Sequence, residues 1–183
     1  LRVVRLHTGD PALYGAILEQ MRQLTQKGIS YQVIPGVSAA FAASAKMNME
    51  YTLPEVTQTL ILTRISGRTP VPEAETLEKL AAHKASMAIY LSIAHIARVQ
   101  QVLVDHYGKD ALCAVAYKVS HPEEKILYVR ADQLEKTCQE HGITRHALII
   151  AGKAVAASVG SKEGGASKLY NAGFSHGYRQ QSQ

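Results

Sequence analysis

The sequence predicts an α/β protein, and three observations carry that prediction. Short β-branched apolar runs alternate along the chain with stretches of helical periodicity. Two tight loops, His7-Thr8-Gly9-Asp10-Pro11 and Pro35-Gly36-Val37-Ser38, each stand between a strand-like run and a helix-like run. The 183 residues, 46% hydrophobic, are enough for one sizeable domain or two small ones.

Val3-Val4-Arg5-Leu6 reads as a buried parallel strand. Leu13, Ile17, Met21 and Leu24 then recur at helical spacing, so a helix is expected over 12–27, stopping at Gly28. Gly9 lets the backbone approach a ligand, Asp10 can cap or clamp, and Pro11 suits a first helical position. Tyr31–Ile34 is a second short strand, broken by Pro35-Gly36, and Ser38 is placed to cap a helix over Ala39–Lys46. If the two strands are neighbours, two helix N-termini share one sheet edge, a place that favours a carboxylate. On local chemistry alone both loops also read as well-made turns with caps.

Beyond Pro54 the expected order is strand 57–63, loop 66–72, helix 73–83, strand 87–91 and a helix ending at Gly108. Next come strand 112–117, an antiparallel or edge strand 125–130, helix 132–140 and a last strand, 147–151, that closes the sheet. From Val155 onward the Gly- and Ser-rich sequence reads as loop.

Composition excludes several classes. Lys and Arg are scattered, and a net charge of +5 without a basic stripe does not point to nucleic acid. No apolar run approaches ~18 residues, so no membrane span is expected. Cys113 and Cys138 have no CxxC spacing and read as two ordinary thiols of a reducing cytoplasm, with a single disulfide as the alternative. The eight histidines show no ligand pattern, and no metal is expected. Neither G-x-x-x-x-G-K-[ST] nor G-x-G-x-x-G occurs. Glu123-Glu124 beside Pro122 reads as a solvated turn.

Three segments carry a resemblance: Arg5-Leu-His-Thr-Gly-Asp-Pro-Ala-Leu-Tyr-Gly-Ala-Ile17 with Pro35-Gly-Val-Ser38; Glu50-Tyr-Thr-Leu-Pro-Glu through Arg64; and Ser167-Lys-Leu-Tyr-Asn-Ala-Gly-Phe-Ser-His-Gly-Tyr-Arg179. Together they resemble the S-adenosylmethionine-dependent tetrapyrrole methylases, and within them the precorrin-4 C11-methyltransferases of cobalamin synthesis. The Gly-Asp-Pro loop marks the superfamily; the middle segment and the tail mark the subgroup. The resemblance implies two α/β domains, each a mixed sheet flanked by helices. Here 1–53 would be the remainder of the N-terminal domain, 54–155 the C-terminal domain and 156–183 a tail. It also implies an additional N-terminal segment, so the chain reads as a piece of a longer protein.

By the same resemblance, S-adenosylmethionine would be held by Thr8, Gly9, Asp10, Ser38, Ala39, Leu91, Ala116, Tyr117 and Ala147. Leu91 would pack its adenine or sulfur region. Tyr14 and Glu19 are candidate catalytic residues, Glu19 handling the proton lost after methylation. Arg64, Lys118, His176 and Arg179 are candidate partners for the carboxylates of an acidic tetrapyrrole, Arg64 through bidentate geometry. Methyl transfer asks mainly for in-line placement, so the lack of a catalytic motif is compatible with it. A cytoplasmic homodimer is implied. Methylation of another tetrapyrrole position, or a non-catalytic module that only binds ligand or partner, stays open at this point.

Overall fold

The aliphatic runs after residue 59 build one five-stranded mixed sheet. The computed structural model describes residues 1–160. Its strands are β1 (Leu60–Arg64), β2 (Ser86–Tyr90), β3 (Leu112–Tyr117), β4 (Lys125–Arg130) and β5 (Ala147–Ala151), in spatial order β1-β2-β5-β3-β4. β1 and β2 are parallel, Leu60 opposite Ser86. Between them runs α3 (Leu77–Ala81), and after β2 comes α4 (Ile96–Tyr107), ended by Gly108 at φ 94°. β5 is antiparallel to both β2 and β3, and β4 pairs antiparallel with β3 as an edge strand. α5 (Leu134–Glu140) precedes β5 and α6 (Lys153–Ser158) follows it.

Period-2 alternation sorts these strands onto two faces. On one, Met87, Ile89, Cys113, Val115 and Ile149 meet Leu77, Val99, Leu103 and Leu134 of α3, α4 and α5. The other carries small residues, Ala88, Ala114 and Ala116, beside Leu148 and Ile150. Those small side chains let α2 (Ala39–Lys46) approach through its own Ala40 and Ala43, with Met47, Met49, Tyr51 and Val155 filling around it. Tyr51 secures this face: its hydroxyl donates to Ala40 O (2.8 Å) and its carbonyl accepts from Ser86 Oγ (2.7 Å). Both cysteines are free and buried; burial pushes the Cys113 thiol up to about 12 and Cys138 to about 11.

Several expectations need correction. Val3–Leu6 and Tyr31–Ile34 form no strand; their side chains are largely exposed, because a strand requires a ladder partner and neither segment has one among the described residues. α1 covers only Ile17–Gln26. Residues 11–14 are a turn instead, closed by Leu13 N–H donating to Asp10 O (3.2 Å), and Tyr14 and Ala16 take positive φ (56° and 49°) that no helix allows. The helix expected over 73–83 divides into a 3₁₀ turn, Glu73–Glu75, and α3, because Thr76 is extended. β5 does not close the sheet but lies in its middle. α6 carries regular structure through Ser158, past the point where loop is expected from Val155, because Ala154 and Val155 pack under the sheet.

Candidate functional site

The two loops singled out in the sequence touch each other backbone to backbone. A Cβ on Gly36 would lie 2.1 Å from Gly9 O, so only glycine fits there. Gly9 itself sits at φ 65°. Asp10 locks the pair: Oδ1 accepts from Ala12 N–H (2.8 Å) and Oδ2 from Gly36 N–H (3.0 Å). Those two bonds, Gly36 first, hold its carboxyl below the usual aspartate range.

Downstream, Ser38 is the N-cap residue of α2 by position, yet its hydroxyl makes no cap bond. It pairs with the Tyr90 hydroxyl at the end of β2 (2.7 Å), which also accepts from Ala40 N–H (2.9 Å). Phe41 N–H donates to Ser38 O, and Ala39 N–H has no acceptor among the described residues. That free donor lies beside Gly9: a Cβ on Gly9 would be 3.9 Å from Ala39 N.

At this end of the sheet, backbone strain collects. Leu91 follows β2, Lys118 follows β3 and His146 precedes β5, all at positive φ (52°, 46° and 55°). Each such residue costs roughly 1 kcal/mol or more, and such residues cluster where a site demands them. Lys118 N–H donates to His146 O (2.9 Å), tying two of the three together. Leu91 is 69% exposed, an unusual place for a large aliphatic side chain that closes a buried strand. Its backbone is braced by Ser92, whose buried hydroxyl donates to Tyr90 O (2.6 Å) and accepts from Ile65 N–H (2.9 Å).

The expected cofactor residues therefore divide. Gly9, between Thr8 and Asp10, lies against Ser38 and Ala39, Asp10 is bonded to Gly36 of the same loop, and Ser38 is bonded to the strand that ends beside Leu91. Ala116 lies on the α2 face of the sheet with Tyr90. Tyr117 and Ala147 are register partners at the same end but pack toward the opposite face, so their side chains do not join Ser38. The candidate substrate residues are already engaged. Arg64 donates from Nη1 to Thr69 O (2.9 Å) and Ile65 O (3.3 Å) and from Nη2 to Pro70 O (2.9 Å), organising the following loop. Lys118 Nζ is 3.4 Å from Glu123 Oε1 and 5.5 Å from the centre of the Tyr117 ring.

Tyr14 packs against Tyr90, ring centres 5.5 Å apart and planes tilted by 55°. It also lines a cleft of about 410 Å³ with Arg64, Thr63 and Glu75. Burial pushes its phenol up, so it stays protonated and can donate a hydrogen bond. Glu19 is exposed in the first turn of α1, without a hydrogen-bond or ion-pair partner among the described residues. His176 and Arg179 lie outside the described residues. Sequence reasoning missed Tyr90 and Ser92. The available signal was a tyrosine ending an otherwise aliphatic strand, directly before Leu91.

The family model of the tetrapyrrole (corrin/porphyrin) methylases matches residues 1–135, which include both loops, β1, β2, β3 and β4. The chain belongs to the tetrapyrrole methylase family. Among its relatives, the cobalt-precorrin-4 C(11)-methyltransferase of Priestia megaterium is 43% identical over 97% of this chain and 69% of its own length. The precorrin-4 C(11)-methyltransferase of Pseudomonas aeruginosa is 46% identical over 98% of this chain and 70% of its own. In structure, this methylase chain matches the X-ray structure of a cobalamin biosynthetic enzyme, cobalt precorrin-4 methyltransferase. That match has a TM-score of 0.81 and 44% identity, over 84% of this chain and 64% of the other.

Proposed function

We propose that the chain is an S-adenosylmethionine-dependent C-methyltransferase acting on C11 of precorrin-4 or its cobalt form in cobalamin biosynthesis. The observation that carries this reading is identity of 43–46% with proteins of that name over 97–98% of the chain, the loop pair and the sheet end included. The free Ala39 N–H, the glycine that lets it be approached and the exposed Leu91 suit a ligand with one anionic and one flat apolar part. S-adenosylmethionine supplies a methyl group on a positively charged sulfur that leaves as a neutral thioether.

The protein's share is placement. Gly9, Ser38 and Ala39 would hold the carboxylate end and Leu91 with Ala116 the apolar end, while Tyr117 and Ala147 contribute backbone at the rim. Tyr14, neutral and beside the cleft, would present a hydrogen bond to the macrocycle. Glu19 is the candidate acceptor of the proton released after transfer. Arg64 and Lys118 serve this reading by shaping the 65–70 loop and the end of β3, with donors left over for substrate carboxylates. His176 and Arg179 complete the proposed substrate set. A cytoplasmic homodimer, and a division of the chain near Leu53 and again near Val155, belong to the same reading; no helix is long and apolar enough to cross a membrane among the described residues.

Two experiments test it in sequence. Calorimetric titration with S-adenosylhomocysteine should give micromolar affinity, about −8 kcal/mol. Methylation assays should then show turnover of precorrin-4 or cobalt-precorrin-4. Turnover of uroporphyrinogen III in their place overturns the substrate assignment, and absence of binding overturns the ligand site of this chain.

A further inference from the structure

Tyr90 belongs to the sheet, yet its hydroxyl does the work usually done by the N-cap of α2. Ordinarily the serine at that position accepts from one of the first helical amides. Here Ser38 Oγ is turned toward Tyr90 Oη (2.7 Å), and the amide it leaves, Ala40 N–H, donates to Tyr90 Oη (2.9 Å). Among the described residues, Ser38–Tyr90 is the only side-chain hydrogen bond that joins residues 1–38 to the rest of the chain. The aromatic pair across the same divide, Tyr14 against Tyr90, uses the same residue. Everything before Ser38 is exposed or half-buried.

We propose that Tyr90 is a positioning residue that fixes the Pro35–Ser38 loop, and through Asp10 the Thr8–Asp10 loop, at the end of the sheet. The inference rests on the reading of these loops as the cofactor site. A tyrosine suits the task because its ring is rigid, with two side-chain torsions, and its root is held by the Ser92 bond to Tyr90 O. The connection runs from the sheet through Tyr90 to Ser38 and Ala40, then along the loop to Gly36 and Asp10. Removing the hydroxyl cuts that connection without emptying the ring's place in the core.

The test is Tyr90→Phe, alone and with Ser38→Ala, read by residue-resolved amide exchange and by calorimetry with S-adenosylhomocysteine. Ala40 N–H should exchange about tenfold faster in Tyr90→Phe while Val115 and Ile149 keep their protection. The dissociation constant should rise about fivefold, the size of one net hydrogen bond. In turnover, KM for the methyl donor should rise with kcat nearly unchanged, which a general loss of stability would not produce. Read by amide exchange, adding Ser38→Ala to Tyr90→Phe should release Ala40 no further, because the Ser38–Tyr90 bond is already gone.

An unchanged dissociation constant in Tyr90→Phe, retained protection of Ala40, or full additivity of the two substitutions in Ala40 exchange overturns the proposal. Should the unsubstituted chain fail to bind S-adenosylhomocysteine while Tyr90→Phe still deprotects Ala40, the functional reading falls and the positioning role of Tyr90 stands.

Discussion

Residues 1–38 and residues 39–158 have similar aliphatic content and opposite fates. The second region buries its apolar side chains on both faces of a sheet, with Met87, Ile89, Leu103 and Ile149 fully enclosed. In the first, Val3, Val4 and Leu6 are more than 80% exposed and α1 has no buried residue. Hydrophobicity marks what a segment is able to bury, whereas burial needs a partner surface. Among the described residues, side-chain hydrogen bonds hold the loops of the first region through two devices: the Asp10 clamp between them and the Tyr90 connection to the sheet. The same region carries the candidate ligand loops. Order there comes from a few hydrogen bonds on an otherwise open backbone, the condition under which a ligand can add most to it.

The contrast can be broken or sharpened by experiment. The largest effect should come from the core: Ile149→Ala, at a fully buried position, should destabilise by about 2–5 kcal/mol in urea unfolding. Ser86→Ala removes the donor to the buried Tyr51 carbonyl and should cost ~1–3 kcal/mol by the same measurement. Gly36→Ala drives a Cβ into Gly9 O and separates the loops. It should weaken S-adenosylhomocysteine at least about tenfold, or ~1.4 kcal/mol, while the core unfolds as before. If that affinity were kept, the two loops would not act as one site.

A smaller effect follows from Asp10, whose pKa is lowered in the folded chain. Its clamp is complete at neutral pH and is lost as the pH falls below the ordinary aspartate value of about 4 and through the lower folded value. Exchange of the Gly36 amide, measured between pH 6 and 3, should accelerate beyond its intrinsic pH dependence only in the acid part of that range. In Asp10→Asn that acid transition should be absent. The smallest effect belongs to Leu6→Ala, within about 0.5 kcal/mol, because that side chain is already in water. A large loss there would mean the first region is packed in solution.

Much of the second region is legible from local sequence. α2, β3, β4 and β5 have the bounds expected from their residues, since apolar runs flanked by Gly, Pro and charged residues identify themselves. The failures share a cause. Val3–Leu6 has strand composition, but pairing depends on residues elsewhere. The centre-sheet place of β5 is likewise invisible in Ala147–Ala151 itself, because spatial order is set by long-range packing. Within the site, Asp10, Ser38 and Gly9 were readable as loop chemistry. Tyr90 was not, since a hydroxyl that caps a helix 50 residues earlier leaves no local pattern beyond a tyrosine at the end of an aliphatic strand. Arg64 illustrates the converse: a guanidinium legible as a carboxylate partner is largely spent on the carbonyls of its own loop.

The central position of β5 has a consequence for how the chain is made. Until residues 147–151 have been synthesised, β1–β2 and β3–β4 are two separate two-stranded pieces, each with an open edge where β5 belongs. A two-stranded unit is marginal in water, and an open edge invites pairing with a neighbouring molecule. The growing polypeptide is therefore most exposed to aggregation just before β5 emerges. A chain stopped short of Ala147 should collect in the insoluble fraction, and one continued through Ser158 should not.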